Sequence, residues 1–482
     1  MIGRLELLDQ AKGLGLSPQV VEKDYVLGWL LAGIHAHPEL GQTWVFKGGT
    51  CLKKCYFETY RFSEDLDFTV GDPAHLERPF LEGAFNEIAA WLEQRTGIVL
   101  PVDCRGFEPY ETPRKGKSCE GRICYKGPIA PGGYLPKIKL DLTNDEHLAL
   151  EPVVRMVHHA YSDREEALMK VRCYAFEEVF AEKVRALAER LRPRDLYDVV
   201  HLFRRSDFGP DRRVMLEVLR AKCAFKAIEL PTAHFIEDHP GRTELGVDWE
   251  QMLKHQLPAL PPFQDFWETL PLMFQWLYGE ADRLMTRPIP PDRPTDQVEE
   301  PIGLAHDHPD DTHWPGQPYF NTRMHRIRFA AANRLCIELA YGGKKRLIEP
   351  YALRQTVDDN MILMAVKHDT GEPRSYRLDR IEGALISNVP FTPQYTVELG
   401  GSGSFRIQPT VLRGASSYSG FLGGSTRTGA PKGRAKRRHI YRCPSCNREF
   451  PHSTRNRKLN PHKDRHGQPC RGRMGIFERT EN

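Results

Sequence analysis

Two aspartates and a glycine pair are the residues of this chain best suited to chemistry by type and spacing. Gly48, Gly49 and Thr50 precede Asp65 and Asp67, which are separated by one leucine. Glycine amides can approach a phosphate closely because no Cβ intervenes. Two carboxylates one residue apart on a strand point to the same side, and Mg²⁺ prefers such oxygen ligands. Together the two patterns predict a phosphate-and-metal site of the kind that nucleotidyl transfer needs.

A third acid lies further along the chain, in the stretch PKIKLDL at residues 136 to 142. Its period of two predicts a strand with Asp141 on the polar face, shared with Lys137 and Lys139. We expect Asp141 to bind a second metal ion or to accept the proton of the attacking hydroxyl. Each pattern has an ordinary alternative, because an isolated Asp-x-Asp is often a solvated strand edge and a glycine pair is often only a turn.

Several elements must position these residues. The stretch TWVFKGG predicts a short strand that enters a turn, and DLDFTV predicts a second strand. Ser17 followed by Pro18 predicts a helix start. From Ala175 the apolar spacing is helical until Pro193, RDLYDVVHLF then predicts another helix, and the chain stays mostly helical to about Met285.

Composition indicates a globular protein of two to four domains, with 482 residues, 40% of them hydrophobic and 27% charged. The sequence contains no apolar run of about 18 residues and no charged-then-apolar leader, so we expect a cytoplasmic protein without a membrane partner. The 11 cysteines are scattered except for Cys443, Cys446 and Cys470. This pattern argues against a disulfide framework and for a local metal site.

The basic charge is concentrated at the C-terminus. Residues 425 to 482 carry 16 Lys and Arg against 4 Asp and Glu, a formal charge of +12. Because the whole chain has a charge of +4, residues 1 to 424 carry −8. Such a tail on an acidic body is typical of a segment that binds a polyanion.

The tail also predicts a structural zinc site. Cys443 and Cys446 form a CxxC pair, followed by His462 or His466 and then by Cys470. Four such ligands complete a tetrahedral Zn²⁺ site with no open position. The spacing favours His462, which leaves seven residues before Cys470. The alternative is a basic tail with incidental cysteines, but a segment this short and polar needs a metal to fold.

Five stretches of the chain, in order, resemble the AbiEii-type nucleotidyltransferase toxins of bacterial type IV toxin–antitoxin and phage-defence systems. They are VEKDYVL (21 to 27), FKGGTCLKK (46 to 54), RFSEDLDF (61 to 68), KIKLDL (137 to 142) and EEVFAEKVRALAERLRPRDLYDVVHLF (177 to 203). The resemblance covers roughly residues 5 to 280. It implies an α+β protein with a polymerase-β-like nucleotidyltransferase fold, in which a mixed sheet carries the carboxylates and the C-terminal half is helical.

The resemblance also implies roles for individual residues. The nucleotide phosphates would be bound by Lys47, Gly48, Gly49, Thr50 and Ser63, and Mg²⁺ by Asp65 and Asp67. Lys183 would neutralise the triphosphate, and Asp198 would be a further essential acid, with Asp195 as the alternative. Without the resemblance, Lys183 would be read as an exposed helix lysine, and the two acids as ordinary residues of a first helical turn.

The implied reaction is transfer of a nucleotide from an NTP to RNA, in several such toxins to the 3′ acceptor end of tRNA. This would block translation, and a cognate antitoxin protein is a possible partner. The basic tail would hold the RNA through salt-sensitive phosphate contacts.

A second region resembles a WYL domain, a small Sm-like β-barrel. It spans about residues 323 to 395 and includes the stretches RIRFAAANRLCIELAYGGKKRLIEPYALRQ and YRLDRIEGALIS. At the signature triad the chain has Met361, Ile362 and Leu363, so the tryptophan and tyrosine are absent. We expect residues 325 to 397 to be rich in short strands.

We therefore expect five parts, the last of them a zinc knuckle. They are a nucleotidyltransferase domain (1–285), a Pro- and acid-rich linker (286–318), a WYL-like β domain (319–398), a flexible basic tether (399–438) and a zinc-binding basic tail (439–482). Two other functions stay open. The chain could be a nucleic-acid-binding regulator with an inert or secondary transferase module, or a transferase that modifies a small hydroxylated molecule.

Overall fold

A computed structural model describes most of the chain. The described residues are 1–129, 134–205, 208–282, 287–290, 322–355, 360–399, 438–452, 459, 468, 470, 474 and 476–481. They form two compact units, Met1–Val411 and Leu412–Asn482. Within the described part of the chain, no helix is both long enough and apolar enough to cross a membrane.

The first unit is built on a mixed sheet of seven strands. The strands are β1 (Trp44–Lys47), β2 (Asp65–Val70), β3 (Arg105–Glu111), β4 (Lys117–Cys124), β5 (Lys137–Thr143), β6 (Val153–Met156) and β7 (Lys170–Cys173). Their spatial order is β3-β4-β5-β2-β1-β7-β6. Strand β2 pairs antiparallel with β1 and parallel with β5, so it lies at the centre of the sheet.

Helices precede, interrupt and follow this sheet. They are α1 (Arg4–Leu14), α2 (Pro18–Ala36), α3 (Leu40–Thr43), α4 (Gly48–Cys51), α5 (Arg78–Thr96), α6 (Phe176–Arg190), α7 (Pro193–Arg204), α8 (Arg212–Lys226), α9 (Ala233–Glu237), α10 (Arg242–Leu253) and α11 (Phe263–Tyr278). Helix α2 begins where the sequence predicts, because the Ser17 hydroxyl accepts a hydrogen bond from the amide of Val20 at 3.4 Å. Helix α6 packs against α7 and α8. A mixed sheet followed by packed helices confirms the predicted α+β fold with a helical C-terminal half.

The same unit continues with a helix and a second, antiparallel sheet. These elements are α12 (Thr322–Ala332), β8 (Leu335–Tyr341), β9 (Lys344–Gln355), β10 (Met361–Lys367), β11 (Pro373–Arg377) and β12 (Ile381–Pro390), and the strand order is β11-β10-β9-β8-β12. The five strands confirm the β-rich prediction. Helix α12 was not predicted, because RIRF alternates like a strand, but the three alanines from Ala330 to Ala332 favour a helix.

Helix α12 is joined to the first part of the unit by buried polar contacts. Arg328, which is 2% exposed, forms an ion pair with Glu58 at 2.5 Å. The Tyr197 hydroxyl donates to Oδ1 of Asn333 at 2.7 Å. The predicted linker at 286–318 lies outside the described residues except for 287–290.

Two further features concern the cysteines and the tail. A disulfide joins Cys104 to Cys124, with a Cα–Cα distance of 5.5 Å, where the pairing of β3 with β4 brings them together. The scattered cysteine pattern did not predict it. In the second unit, β13 (Arg438–Arg442) lies between β14 (Glu449–His452) and β15 (Ile476–Glu481).

Candidate active site

Three carboxylates meet on neighbouring strands at the centre of the first sheet. Asp65 and Asp67 lie on the same face of β2 and are half-buried, while the intervening Leu66 is buried on the other face. In the parallel register of β2 and β5, Asp67 stands directly beside Asp141. The structure therefore brings together the three acids that the sequence analysis selected, with the third on an adjacent strand.

The first glycine of the turn lies against one of these acids. Gly48 begins α4 with a φ of +81°, in the left-handed region that favours glycine. A Cβ at this position would lie 2.0 Å from Oδ2 of Asp67. The Asp67 carboxylate therefore packs directly on the backbone at Gly48, and only glycine allows this approach.

The other residues of the turn have different surroundings. The hydroxyl of Thr50 is buried and donates to the backbone carbonyl of Asp65 at 2.5 Å, which fixes the start of β2. The half-buried Ser63 lies beside Gly49, since its Oγ would be 3.1 Å from a Cβ there. The Thr50 hydroxyl thus already has a hydrogen-bond acceptor, whereas the first amides of a helix, such as those that begin α4, have no acceptor within the helix.

A buried ion network lies behind the turn. The Asp198 carboxylate accepts hydrogen bonds from Nε and Nη2 of Arg61, at 2.7 and 2.8 Å, and from the Tyr60 hydroxyl. Its Oδ2 also lies 2.7 Å from Nζ of Lys183. Burial alone would raise the pKa of Asp198, but Arg61 and Lys183 hold this pKa well below its usual range. Asp198 is therefore ionised and positions two cations.

Asp198 and Asp195, the two candidates for the further essential acid, have different partners. Asp195 forms a bidentate pair with Arg190, at 2.7 and 2.8 Å, and its carboxylate lies 4.0 Å from Lys183. Of the two, Asp198 makes the direct contact with Lys183. The sequence analysis missed Arg61, whose Nη2 would lie 2.7 Å from a Cβ on Gly49. Its only signal was its place at the start of RFSEDLDF.

The acids repel one another and are poorly hydrated. Burial raises the pKa of Asp67 to about 6, with Lys47 and Lys183 opposing the rise and Asp141 and Asp65 adding to it. Burial also raises the pKa of Asp65, against the charge of Lys23. A cluster of carboxylates that resist ionisation in this way is relieved by a divalent cation, and carboxylate oxygens suit Mg²⁺. The donor set therefore fits a magnesium site.

A cleft of about 540 Å³ adjoins Asp67 and Asp141. Its volume is within the range of small-ligand sites. Five basic and four acidic side chains line it. The basic ones are Lys47, Lys139 and three that the sequence analysis did not select, Arg114, Arg185 and Lys226, and the acidic ones are Asp67, Asp141, Asp145 and Glu189. Lys47 and Lys226 share Glu146 as partner, at 3.3 and 3.2 Å.

The described tail cysteines also converge. The sulfur atoms of Cys443, Cys446 and Cys470 lie within 4.8 Å of one another, and those of Cys443 and Cys470 are 3.8 Å apart. Zinc–sulfur bonds of about 2.3 Å in a tetrahedron imply a sulfur–sulfur distance of about 3.8 Å, so the three thiols fit a zinc site. His462 and His466 lie outside the described residues, so the structure does not place a fourth ligand.

Comparisons with known proteins give two family matches. The model of a nucleotidyl transferase AbiEii toxin of a type IV toxin–antitoxin system matches residues 29–270, half of the chain. The model of the WYL domain matches residues 323–386. None of the curated proteins matches the chain.

Three solved structures are similar at 18% sequence identity each. The nucleotidyltransferase toxin MenT4 from Mycobacterium tuberculosis has a TM-score of 0.40, over 58% of this chain and 91% of that one. JHP933 from Helicobacter pylori has a TM-score of 0.36, over 55% and 94%. A further putative nucleotidyltransferase from H. pylori has a TM-score of 0.37, over 56% and 99%.

Proposed function

The chain belongs to the AbiEii family of nucleotidyl transferase toxins of type IV toxin–antitoxin systems, and we propose that it transfers a nucleotide from an NTP to RNA. One observation carries this proposal. Asp65, Asp67 and Asp141 lie together on β2 and β5, beside Gly48 and next to a cleft lined with basic side chains.

The three acids would have different roles in the reaction. Asp65 and Asp67 would hold Mg²⁺, which would supply positive charge against the negative charge that develops on the leaving pyrophosphate. Asp141, directly beside Asp67, would share a second ion or accept the proton of the attacking RNA hydroxyl. Because burial raises the pKa of Asp67 to about 6, a cation must compete with a proton for this carboxylate below about that pH.

The nucleotide would be held by backbone and basic groups. The amides of Gly48, Gly49 and Thr50 begin a helix and suit phosphate oxygens, with Ser63 beside them. Lys183, held in place by Asp198, would add positive charge next to the acids. In the cleft, Lys47 and the other cations are paired with acids such as Glu146, and a triphosphate would compete for them.

We infer that RNA is recognised mainly through the basic tail. Residues 425–482 have a formal charge of +12, whereas the rest of the chain is acidic and would repel a polyanion. The acceptor that we propose is the 3′ end of tRNA, whose modification would block translation. Control by a cognate antitoxin protein follows from the family and is part of the same proposal.

The tail would keep its shape through one structural Zn²⁺. Cys443, Cys446 and Cys470 supply three ligands, and His462, or alternatively His466, would supply the fourth. In this scheme residues 1–285 form the transferase, 319–398 the WYL-like part and 439–482 the zinc-binding tail.

A second candidate function is regulation by nucleic-acid binding, with the transferase in a secondary role. The match to a WYL domain at residues 323–386 favours it, together with the basic tail. Tight, sequence-selective DNA binding by the full chain, without turnover of any NTP, would support this candidate over RNA modification.

The proposal can be tested in cells by sequencing the 3′ ends of all RNA after brief expression of the chain. We expect added nucleotides on tRNA with the parent protein and none with Asp65→Asn or Asp67→Asn. Glu338→Gln is the matched control, because Glu338 is an exposed carboxylate on β8, in the second sheet rather than the sheet that carries the three acids. Added nucleotides at undiminished levels in both aspartate variants would rule out the site.

A further inference from the structure

Three free cysteines converge beneath the glycine turn. Cys51 ends α4, Cys55 lies in the π-helical turn Leu52–Tyr56 that continues it, and Cys173 ends β7. Their sulfur atoms all lie within 4.8 Å of one another. None is more than 2% exposed, and the proposed transfer reaction uses none of them.

The cluster is assembled by tertiary structure rather than by local sequence. Strand β7 runs parallel to β1 with Cys173 beside Phe46, and the amide of Tyr174 donates to the Phe46 carbonyl at 3.0 Å. Cys173 therefore lies next to the strand that leads into Gly48. In the sequence, Cys51 and Cys55 are only four residues apart, a spacing typical of cysteines packed on one helix face. Cys173 is more than 100 residues away, so only the folded structure shows that a third thiol completes the group.

A basic residue is fixed beside the cluster. Nε of Arg155 donates to the Cys55 carbonyl at 2.8 Å, and its guanidinium lies 4.4 Å from the centroid of the Tyr56 ring. The Arg155 guanidinium therefore places a positive charge close to the three sulfurs, where it can offset the negative charge of thiolates.

We propose that Cys51, Cys55 and Cys173 bind one soft, thiophilic cation. Three sulfur ligands in a buried pocket select soft metal ions. Structural zinc sites take four ligands, and within the described residues no histidine, fourth cysteine or carboxylate joins the group, so the geometry favours Cu⁺. On binding, three sulfur–metal bonds form, and each ligating thiol that carries a proton releases it to solvent.

The ion would link α4 and the turn that follows it to β7. These elements flank β1, whose last residue precedes Gly48, so the ion would fix the glycine turn from its buried side. Because a ligand that binds only the folded state stabilises it, Cu⁺ should raise the thermal unfolding midpoint. This inference does not depend on which acceptor the transferase uses.

The test uses the full chain with Cys443, Cys446 and Cys470 changed to Ser, which removes the thiol cluster of the tail. Cu⁺ is titrated without oxygen in competition with a coloured Cu⁺ chelator. We expect one Cu⁺ to be retained per chain, with a higher unfolding midpoint. Cys173→Ser and Cys55→Ser should each weaken binding by at least the roughly 100-fold that loss of an outer-shell partner can cost.

Cys223→Ser is the matched control, since Cys223 is a free, buried cysteine on α8 outside the cluster. It should retain one Cu⁺ with the same midpoint increase. Two ligand variants are used so that misfolding of one, seen as a lost unfolding transition without metal, does not decide the result. If the intact cluster retains no Cu⁺, or if both ligand variants bind it as tightly as the parent does, the three thiols are packing groups and the proposal is wrong.

Discussion

Asp67 is the residue on which the site depends most. Its carboxylate packs on the backbone of Gly48. In the sheet, Asp67 pairs with Lys47 on β1 and with Asp141 on β5. The spacing of the acids predicted this group from the sequence alone, because period-two alternation fixes which side chains share a face. Arg61 was not predictable in the same way, because its partner Asp198 is 137 residues away.

The first prediction concerns the cost of ionising Asp67 without metal. Its folded-state pKa of about 6 lies above the ordinary value of about 3.9, so stability falls as pH rises between these values and stays reduced above them. Asp67→Asn removes this cost. We expect it to stabilise the metal-free protein at pH 7.5, by on the order of 2 kcal/mol, and less at pH 4.5.

Thermal unfolding in the presence of a chelator measures this effect at the two pH values. Glu338→Gln, at an exposed position of β8 in the second sheet, should change the midpoint little at either pH. Adding Mg²⁺ at pH 7.5 should raise the midpoint of the parent more than that of Asp67→Asn. An equal effect of Asp67→Asn at pH 4.5 and pH 7.5 would contradict the assigned pKa.

The second prediction separates Asp198 from Asp195. Asp198→Asn leaves Arg61 and Lys183 buried without their counter-charge, which typically costs about 3 to 5 kcal/mol. Asp195→Asn should cost less, because its partner Arg190 is 48% exposed and can be hydrated. Denaturant unfolding measures the stability.

The effect on function is measured as transfer activity, under conditions in which both variants remain folded. We expect Asp198→Asn to lose activity because Lys183 is no longer held beside the acids, while Asp195→Asn keeps most of it. Greater loss in Asp195→Asn would reverse the assignment.

Secondary structure was predictable where the local pattern decides it. Strand β2 has the bounds of DLDFTV, and α2, α6 and α7 begin within a residue or two of the predicted positions. The glycine pair after β1 was predicted to form a turn, but it begins the short helix α4, which continues into a π-helical turn. A helix of four residues is not stable by itself, so packing against β2 decides this conformation.

The lining of the cleft could not be predicted from local sequence patterns either. Its basic side chains Arg114, Arg185 and Lys226 come from the loop between β3 and β4, from α6 and from α8. In the sequence they look like solvated surface residues. Only the folded arrangement of three separate elements shows that they line one cavity.

The third prediction tests the glycine turn with two identical substitutions. Gly48→Ala places a Cβ 2.0 Å from Oδ2 of Asp67 at a positive φ, so the carboxylate or the turn must move. We expect loss of nucleotide transfer by on the order of 100-fold or more, as when a preorganised charged group is displaced.

Gly83→Ala is the matched control, because Gly83 is exposed on α5 and a Cβ there meets no atom within 4 Å. It should keep full activity and gain about 0.5 to 1 kcal/mol of stability, since alanine favours a helix. Transfer assays and thermal unfolding on both variants provide the comparison. Full activity in Gly48→Ala would show that the turn does not position Asp67.

For the whole molecule, the two matched families lie in one compact unit. Helix α12 precedes the second sheet and also contacts the transferase through the Arg328–Glu58 ion pair, which spans 270 residues of sequence. The sequence predicted a transferase domain and a WYL-like domain joined by a linker, and contacts over such distances leave no local pattern in a sequence. The tail lies in the second unit, Leu412–Asn482.

The fourth prediction concerns this tail. In its described part, one packed cluster holds only four buried residues, Tyr441, Cys443, Leu459 and Cys470, which is too little to fold without a metal. Cys446→Ser or a strong chelator should release about one zinc per chain and weaken RNA binding, while NTP binding by the first unit persists. Metal analysis and binding assays measure this.

Cys223→Ser provides the control here too, since it changes a buried cysteine outside the tail. RNA binding by the parent should fall steeply with salt, because phosphate contacts dominate it. If loss of zinc also abolishes NTP binding, RNA binding by the tail and NTP binding by the first unit are not separate functions.

The most direct test of the account is which phosphate of the NTP reaches RNA. Nucleotidyl transfer at Asp65 and Asp67 predicts that an α-phosphate label becomes attached to RNA and a γ-phosphate label leaves with pyrophosphate. Both outcomes should require Mg²⁺, and Asp67→Asn should reduce them by roughly 1,000-fold. A γ label on RNA, or α-label transfer that Asp67→Asn leaves unchanged, would contradict the account.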